Sequence, residues 1–551
     1  MIDKITLKIN EKQYQYTKGI SLEEVSKNFS ADFKYPILLA SVNNTLRELS
    51  DILVEDAKVE FLDLTSSFGN RIHISNLTFI LLTAVKKLFG PEEDIKVQHS
   101  LDKGIYIETT FKLTEPKLLK IKDMMNNLIL SDIPITKVTV DYNEALKYFK
   151  NTNDKIKESL VKYISNNYMS LYRLGDNYNY FYTLMPTSTS KTKDFDLTYI
   201  SDKAFVLRFP TPYINNKIKD FENHPKMLEV FKEYHNWGKI MNVETSVDLN
   251  NKVSTGKIAD LIRIDETLQN NKLLTLATEI NKNKKDLKVV LIAGPSSSGK
   301  TTTTRKLSTF LQSYGINPKV LSMDDYFVDK EETPIGKDGK PDYECLEAMD
   351  LKLFDKQMDL LLKNEEVLIP TFNFILCKKE YKQTLKLEEN DILLIEGIHA
   401  LDSKILTNIN SNKKYKVYLS ALTELNIDYH NRISTTDNRL LRRIIRDNRT
   451  RNYKVESTLK TWPNVRLGEE KYIFPFQDEA DFVFNTALIY EIGVLKTYVE
   501  PLLYSVPYES EYYEEARRLI NFLRLFLPIT ADDIPKDSIL REFIGGSCFH
   551  D

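Results

Sequence analysis

Eight consecutive residues constrain this chain more than any other feature: Gly294-Pro295-Ser296-Ser297-Ser298-Gly299-Lys300-Thr301. They fit the G-x-x-x-x-G-K-[ST] spacing, in which a glycine-framed turn aims backbone N–H groups at phosphate oxygens. The apolar run VVLIA leads into the turn, and TTTTRKLSTFLQSYG, with a helical pattern, leads out. A strand–loop–helix unit puts the positive end of the helix against the bound anion. Gly294, Ser296, Ser297, Ser298, Gly299, Lys300, Thr301 and Thr302 are the expected nucleotide-holding residues. Lys300 would reach the β- and γ-phosphates, and the Thr301 hydroxyl would ligate Mg²⁺. A nucleoside triphosphate and Mg²⁺ are therefore the expected ligands of the loop.

Such a loop does not separate a kinase from a GTPase or an ATPase. Downstream residues bear on that choice. The next apolar run ends in Ser322-Met323-Asp324-Asp325-Tyr326-Phe327. A carboxylate at the C-terminal end of a strand beside the loop sits where ligands bind in open α/β sheets. Asp324 would take the proton of an attacking hydroxyl; a turn or capping aspartate is the plainer alternative. A further strand, DILLIEG, carries Glu396 to its end, as a metal-side carboxylate or as a solvated strand end. Then comes NRLLRRIIRDNRTRNY. On a helix Arg442, Arg446 and Arg449 fall at i, i+4 and i+7, with Arg443 and Arg451 flanking. Guanidinium groups bind phosphate in a fork and stabilise charge on a transferring phosphoryl group. Arg442 and Arg446 are expected in catalysis and Arg449 on the nucleotide, against the alternative of a solvated basic face.

The rest of the chain divides by texture. Residues 1–64 alternate apolar and polar in short runs around one helical pattern, SLEEVSKNF, with Ser21 and Glu24 at capping-box spacing. Residues 68–250 open on NLTFILLTAVKKLFG, a helical face closed by Gly90 and Pro91. A helical connector is expected over 251–286. From 287 to 551, short all-apolar runs alternate with helical patterns, which indicates an α/β unit with a parallel sheet covered on both faces. Charges nearly cancel: 76 Lys and Arg against 79 Asp and Glu, a net −3. That gives no global pull toward nucleic acid or membrane. The three cysteines, Cys345, Cys377 and Cys548, form no CxxC pair, which suggests a reducing compartment. No leader is read at the N-terminus, and the longest apolar run, near Phe79 to Val85, is read as too short to cross a bilayer. The expectation is a cytoplasmic chain with a small-molecule acceptor and no membrane partner.

Several of these runs carry resemblances. Residues 1–64 resemble the ubiquitin-like TGS module of threonyl-tRNA synthetase, and the next segment resembles that enzyme's second domain. GPSSSGKTT, SMDDYF, DILLIEGIHAL and NRLLRRIIRD together resemble the uridine kinase/phosphoribulokinase family of P-loop kinases. That resemblance implies ATP-dependent phosphoryl transfer to the 5′-hydroxyl of a nucleoside. In it, Asp324 is the base, Lys300 and Thr301 the phosphate and Mg²⁺ residues, Glu396 the acidic metal-side residue, and Arg442 to Arg451 the lid. It also implies an acceptor pocket built from Asp324, Phe327, Tyr343, Glu344, Phe372 and Cys377. The pocket departs from the family: Glu344 replaces a ribose-binding aspartate, while Phe372 and Cys377 replace a tyrosine and a histidine. Sites built on hydrogen bonds discriminate by them, so uridine itself does not follow. A kinase of another small hydroxyl substrate stays open. So do a nucleotide-switched protein binding RNA or the ribosome through its N-terminal domains, and a homo-oligomer. In the synthetase-like segment, the editing residues fall on Ser75, Phe79, Phe181 and Met185, none of which suits that role. His73 and His99 remain nearby, and no editing activity or zinc site is expected.

Overall fold

The computed structural model describes residues 3–164, 167–212, 216–336, 339, 341–373 and 376–549. Alternation near the N-terminus becomes a small mixed sheet. Its strands lie in the order Lys12–Thr17, Lys4–Ile9, Ala57–Leu62, Leu39–Val42, Leu46–Glu48. Ile5, Leu7 and Ile9 point inward, onto Leu22 and Val25 of the helix Leu22–Lys27. Ser21 and Glu24 close the capping box reciprocally.

The next region packs two helices, Ser67–Phe89 and Glu115–Leu130, on one face of an antiparallel sheet ordered Asp196–Ser201, Ala204–Arg208, Gly104–Thr109, Ile95–Leu101. The first helix corrects the reading of its apolar run as too short. Over 23 residues it is long and apolar enough to cross a bilayer, yet most of it is buried in protein. Leu77 and Phe79 to Leu82 belong to the core of this region. The positions matching editing residues are taken up by packing. Ser75 accepts a hydrogen bond from the Thr183 hydroxyl at 2.8 Å, and Phe79 lies 5.3 Å from Phe181, centroid to centroid. Met185 is buried in the same cluster. Elsewhere in the region Asp102, Glu222 and His224 converge, but Lys219 already pairs with both carboxylates.

Three helices follow, Pro225–Met241, Ser246–Ser254 and Ile258–Lys282. The last is more than a connector. Leu273, Leu276, Ala277 and Ile280 are buried in the core of the unit that follows. That unit has five parallel strands in the order Asn317–Ser322, Asp391–Glu396, Val289–Ala293, Lys414–Ser420, Phe482–Asn485. Val289–Ala293 and Asp391–Glu396 are buried at every residue. Such continuous burial requires helices on both faces, hence the runs without polar alternation. All five strands run the same way, so the loops after them gather at one edge. An antiparallel hairpin, Val367–Asn373 with Lys378–Leu385, stands beside that edge.

Candidate active site

The strand Val289–Ala293 runs straight into the glycine-framed turn, and the helix Lys300–Ser313, called here the loop helix, begins at its end. Two glycines are sterically required. A Cβ on Gly294 would collide with the Leu419 carbonyl oxygen, and Gly299 has φ +84° with Ile539 only 2.6 Å from where its Cβ would be. Ser297, Ser298 and Thr303 are buried, and their hydroxyls have no hydrogen-bond partner within the protein. Buried hydroxyls without partners are costly, and here they sit at a helix N-terminus able to receive an anion. The cradle fits a phosphate. Lys300 curls back over the turn, and its Nζ donates to the carbonyls of Gly294 and Pro295 at 3.0 and 3.4 Å.

The carboxylates cluster at the same edge. Thr301 Oγ1 donates to Glu396 Oε1 at 3.2 Å. Burial pushes Glu396 up to about 7, helped by the charges of Asp324 and Glu542 and opposed by Lys300. A carboxyl beside a hydroxyl offers oxygen ligands suited to a hard cation. Asp324 and Asp325 follow the strand Asn317–Ser322 and part company there. Asp325 Oδ1 accepts the Phe372 N–H at 3.0 Å, which ties it to the hairpin, and burial raises its pKa. Asp324 is half-buried, and its charge is felt by Glu396, Glu344 and Arg451.

The acceptor-pocket residues are brought together. Phe327 sits between Tyr343 and Phe372, with centroids at 5.7 and 5.6 Å and rings edge to face. The Tyr343 hydroxyl is raised by burial and by a hydrogen bond with the Cys377 thiol. Cys377 turns the chain at φ +52°. Burial pushes Glu344 up to about 7, against the pull of Arg443. Gly468 makes room for it, since a Cβ there would lie 2.5 Å from Glu344 Cβ.

The arginine helix, Thr435–Arg451, is turned differently from the expected phase. Arg442 is fully buried behind the turn. It donates to Glu491 Oε2 at 2.5 and 2.8 Å and to the Thr486 carbonyl at 2.9 Å. Arg449 bonds the carbonyls of Glu542 and Phe543, so it braces the C-terminal segment. Of the three expected arginines only Arg446 joins the group gathered on Asp447. There Arg443, Arg446 and Arg451 all pair with the buried Asp447, at 3.2, 2.8 and 3.8 Å. Arg439 and Arg443 reach the turn itself: Arg439 Nε donates to the Ser296 carbonyl at 2.9 Å, and Arg443 to Ser296 Oγ at 2.8 Å. Arg439, Arg443 and Arg446 repeat the same i, i+4, i+7 spacing begun three residues earlier, so the spacing fits either phase of the helix. Glu542 was not foreseeable. Its carboxylate accepts the Thr302 N–H at 3.1 Å, across 240 residues of sequence.

Residues 289–491 match the Phosphoribulokinase / Uridine kinase family. A uridine kinase of Anoxybacillus flavithermus is 28% identical over 196 residues, 35% of this chain and 84% of that protein. A threonine–tRNA ligase of Clostridium kluyveri is 29% identical over 176 residues, 31% of this chain; the match spans only 27% of the ligase's length. Among solved structures, a possible uridine kinase from Bacillus stearothermophilus is 23% identical, covering 39% of this chain and 98% of that one, with a TM-score of 0.25. The segment that begins with the phosphate-cradling strand and ends past the arginine helix, residues 289–491, is a P-loop kinase domain of the phosphoribulokinase/uridine kinase family, in a chain that also carries a region similar to threonine–tRNA ligases.

Proposed function

We propose that this chain transfers the γ-phosphoryl group of ATP to a hydroxyl of a small acceptor, the 5′-hydroxyl of a nucleoside being the leading case. The observation that carries this reading is the division of labour between two adjacent aspartates. Asp325 is committed to the Phe372 backbone, while the charge of Asp324 acts on Glu396, Glu344 and Arg451. A carboxylate so placed can accept the acceptor's proton as the hydroxyl attacks.

The loop amides and Lys300 hold the phosphates. Arg443, Arg446 and Arg451, aligned by Asp447, neutralise charge on the transferring group. Mg²⁺, held by Thr301 and Glu396, would supply further charge neutralisation when bound. Arg442 acts as a buttress of the turn through Thr486 and Glu491. The edge-to-face rings of Phe327, Tyr343 and Phe372 support a flat acceptor, and Glu344 is suited to sugar hydroxyls. ADP release measured with a panel of nucleosides and sugars tests the reading. Acceptor-dependent release with at least one nucleoside is expected. Release that is the same with and without every acceptor would overturn it in favour of a nucleotide switch.

A further inference from the structure

Asp437 lies in the first turn of the arginine helix and is buried. Two guanidinium groups grip its carboxylate in matching forks. Arg71, from the helix Ser67–Phe89, gives Nη2 to Oδ1 at 2.7 Å and Nη1 to Oδ2 at 3.0 Å. Arg518, from the helix Tyr513–Leu523, gives 2.9 Å to each oxygen. Burial pushes this carboxyl up, yet Arg518 and Arg71 hold it well below the ordinary carboxylate range. The grip is therefore ionic at any working pH.

The chain leading into the arginine helix is stitched to the same region. The Val97 N–H donates to the Tyr429 carbonyl at 2.8 Å, and Asn426 Nδ2 donates back to the Val97 carbonyl at 2.8 Å. His430 Nε2 meets Asp94 Oδ1 at 2.8 Å, and Asn431 Nδ2 donates to the Tyr180 carbonyl at 2.9 Å. From Asp437 to Arg443 is six residues, about 9 Å of rigid helix. Two and six residues beyond Asp437, Arg439 and Arg443 hold Ser296 of the glycine-framed turn.

We propose that Arg71 is a positioning residue of the phosphoryl-transfer site: through Asp437 it sets the rotation and register of the arginine helix. This makes the synthetase-like region a working part of the kinase. The inference rests on the reading of Arg443 and Arg446 as ligands of the transferring phosphate. Misplacing reacting groups by about 1 Å costs on the order of a hundredfold in rate. Arg518 remains as a second fork, so the loss from Arg71 alone should be nearer tenfold.

The test uses the full chain with Arg71→Gln and, as a milder change, Arg71→Lys. Steady-state kinetics are read together with amide hydrogen exchange over 435–451 and thermal melting. For Arg71→Gln we expect kcat to fall about tenfold while the KM for ATP moves by less than about twofold. Faster exchange is expected along the arginine helix. Combined with Arg443→Gln, the loss should be smaller than the product of the two single losses, because both act through one helix. A lowered melting point with unchanged kcat and unchanged exchange, or losses that simply multiply, overturns the proposal. If Arg71→Gln does not fold, Arg71→Lys decides, and wild-type kcat and exchange there overturn it. If the unaltered chain phosphorylates nothing, exchange alone decides. Faster exchange then keeps the positioning and topples the kinase reading, whereas unchanged exchange topples the positioning.

Discussion

The phosphate turn and the acceptor cleft occupy the same edge of one sheet, yet they are built by different means. The turn is a local object. Eight consecutive residues form it, its groups able to meet an anion are mostly backbone amides, and distant segments only support it, through clashes that require two glycines and through Arg439 and Arg443 on Ser296. The cleft is assembled at long range. Asp325 reaches Phe372, Gly468 yields space to Glu344, and Tyr343 meets Cys377. A site made of backbone tolerates divergence around it. One made of side chains from several segments can change its substrate by single replacements and leave the phosphate chemistry intact.

The sharpest way to break this contrast is Lys300→Ala. Lys300 is half-exposed and its Nζ bonds carbonyls of the turn, so its removal leaves no buried cavity. Acceptor-dependent ADP release should fall to background with an unchanged melting temperature, the outcome for losing a charge that stabilises transferring phosphate. Activity near that of the unaltered chain would show that the turn is not the phosphate site.

The next effect should come from Asp324→Asn, at about 10²–10⁴-fold in single-turnover transfer, the usual scale for removing a general base. ATP affinity should hold, because the phosphates are bound elsewhere. Asp325→Asn should cost far less, since an amide oxygen can still accept the Phe372 N–H. A reversed order would move the base one residue along and recast the hairpin contact as secondary.

The smallest effect is a pH slope in stability. Glu344 and Glu396 both sit near 7 in the folded chain, above the ordinary 4.5. The folded state thus binds more protons than the unfolded one between about 4.5 and about 7. Stability that is complete below that window is lost as pH rises through it. Melting temperature should therefore fall with rising pH across this range, and less steeply in Glu344→Gln. A slope unchanged by that substitution would mean Glu344 is better solvated than the cleft geometry implies.

What could be read in advance follows the same line. The parallel sheet and the turn were legible because continuous apolar runs and a fixed glycine–lysine spacing are local signals. The arginine helix was legible as a helix but its phase was not. Spacing alone cannot distinguish Arg442, turned inward onto Glu491, from Arg443, turned toward Ser296, until the partners are in place. Glu542 at Thr302 and Arg71 at Asp437 join segments hundreds of residues apart, and no periodicity encodes such meetings. The helix Ser67–Phe89 shows the converse case. Its apolar length is set by burial between protein layers, a context invisible along the chain.

The helix Ile258–Lys282 has a practical bearing on dissecting this chain. Leu273, Leu276, Ala277 and Ile280 complete an apolar layer with Val290, Ile292 and Leu307. Gln269 caps the Ala487 carbonyl, and Glu266 takes the Tyr490 hydroxyl. A fragment begun at the texture change near Leu287 would retain the whole glycine-framed turn and still be an amputated fold. Its stripped layer would be open to water and prone to stick to other copies. A cut before Ile258 spares the layer that the loop helix rests on, yet it parts Asp437 from Arg71 and strips Phe231, Tyr234 and Trp237 from the larger core, so only a cut well upstream leaves both intact.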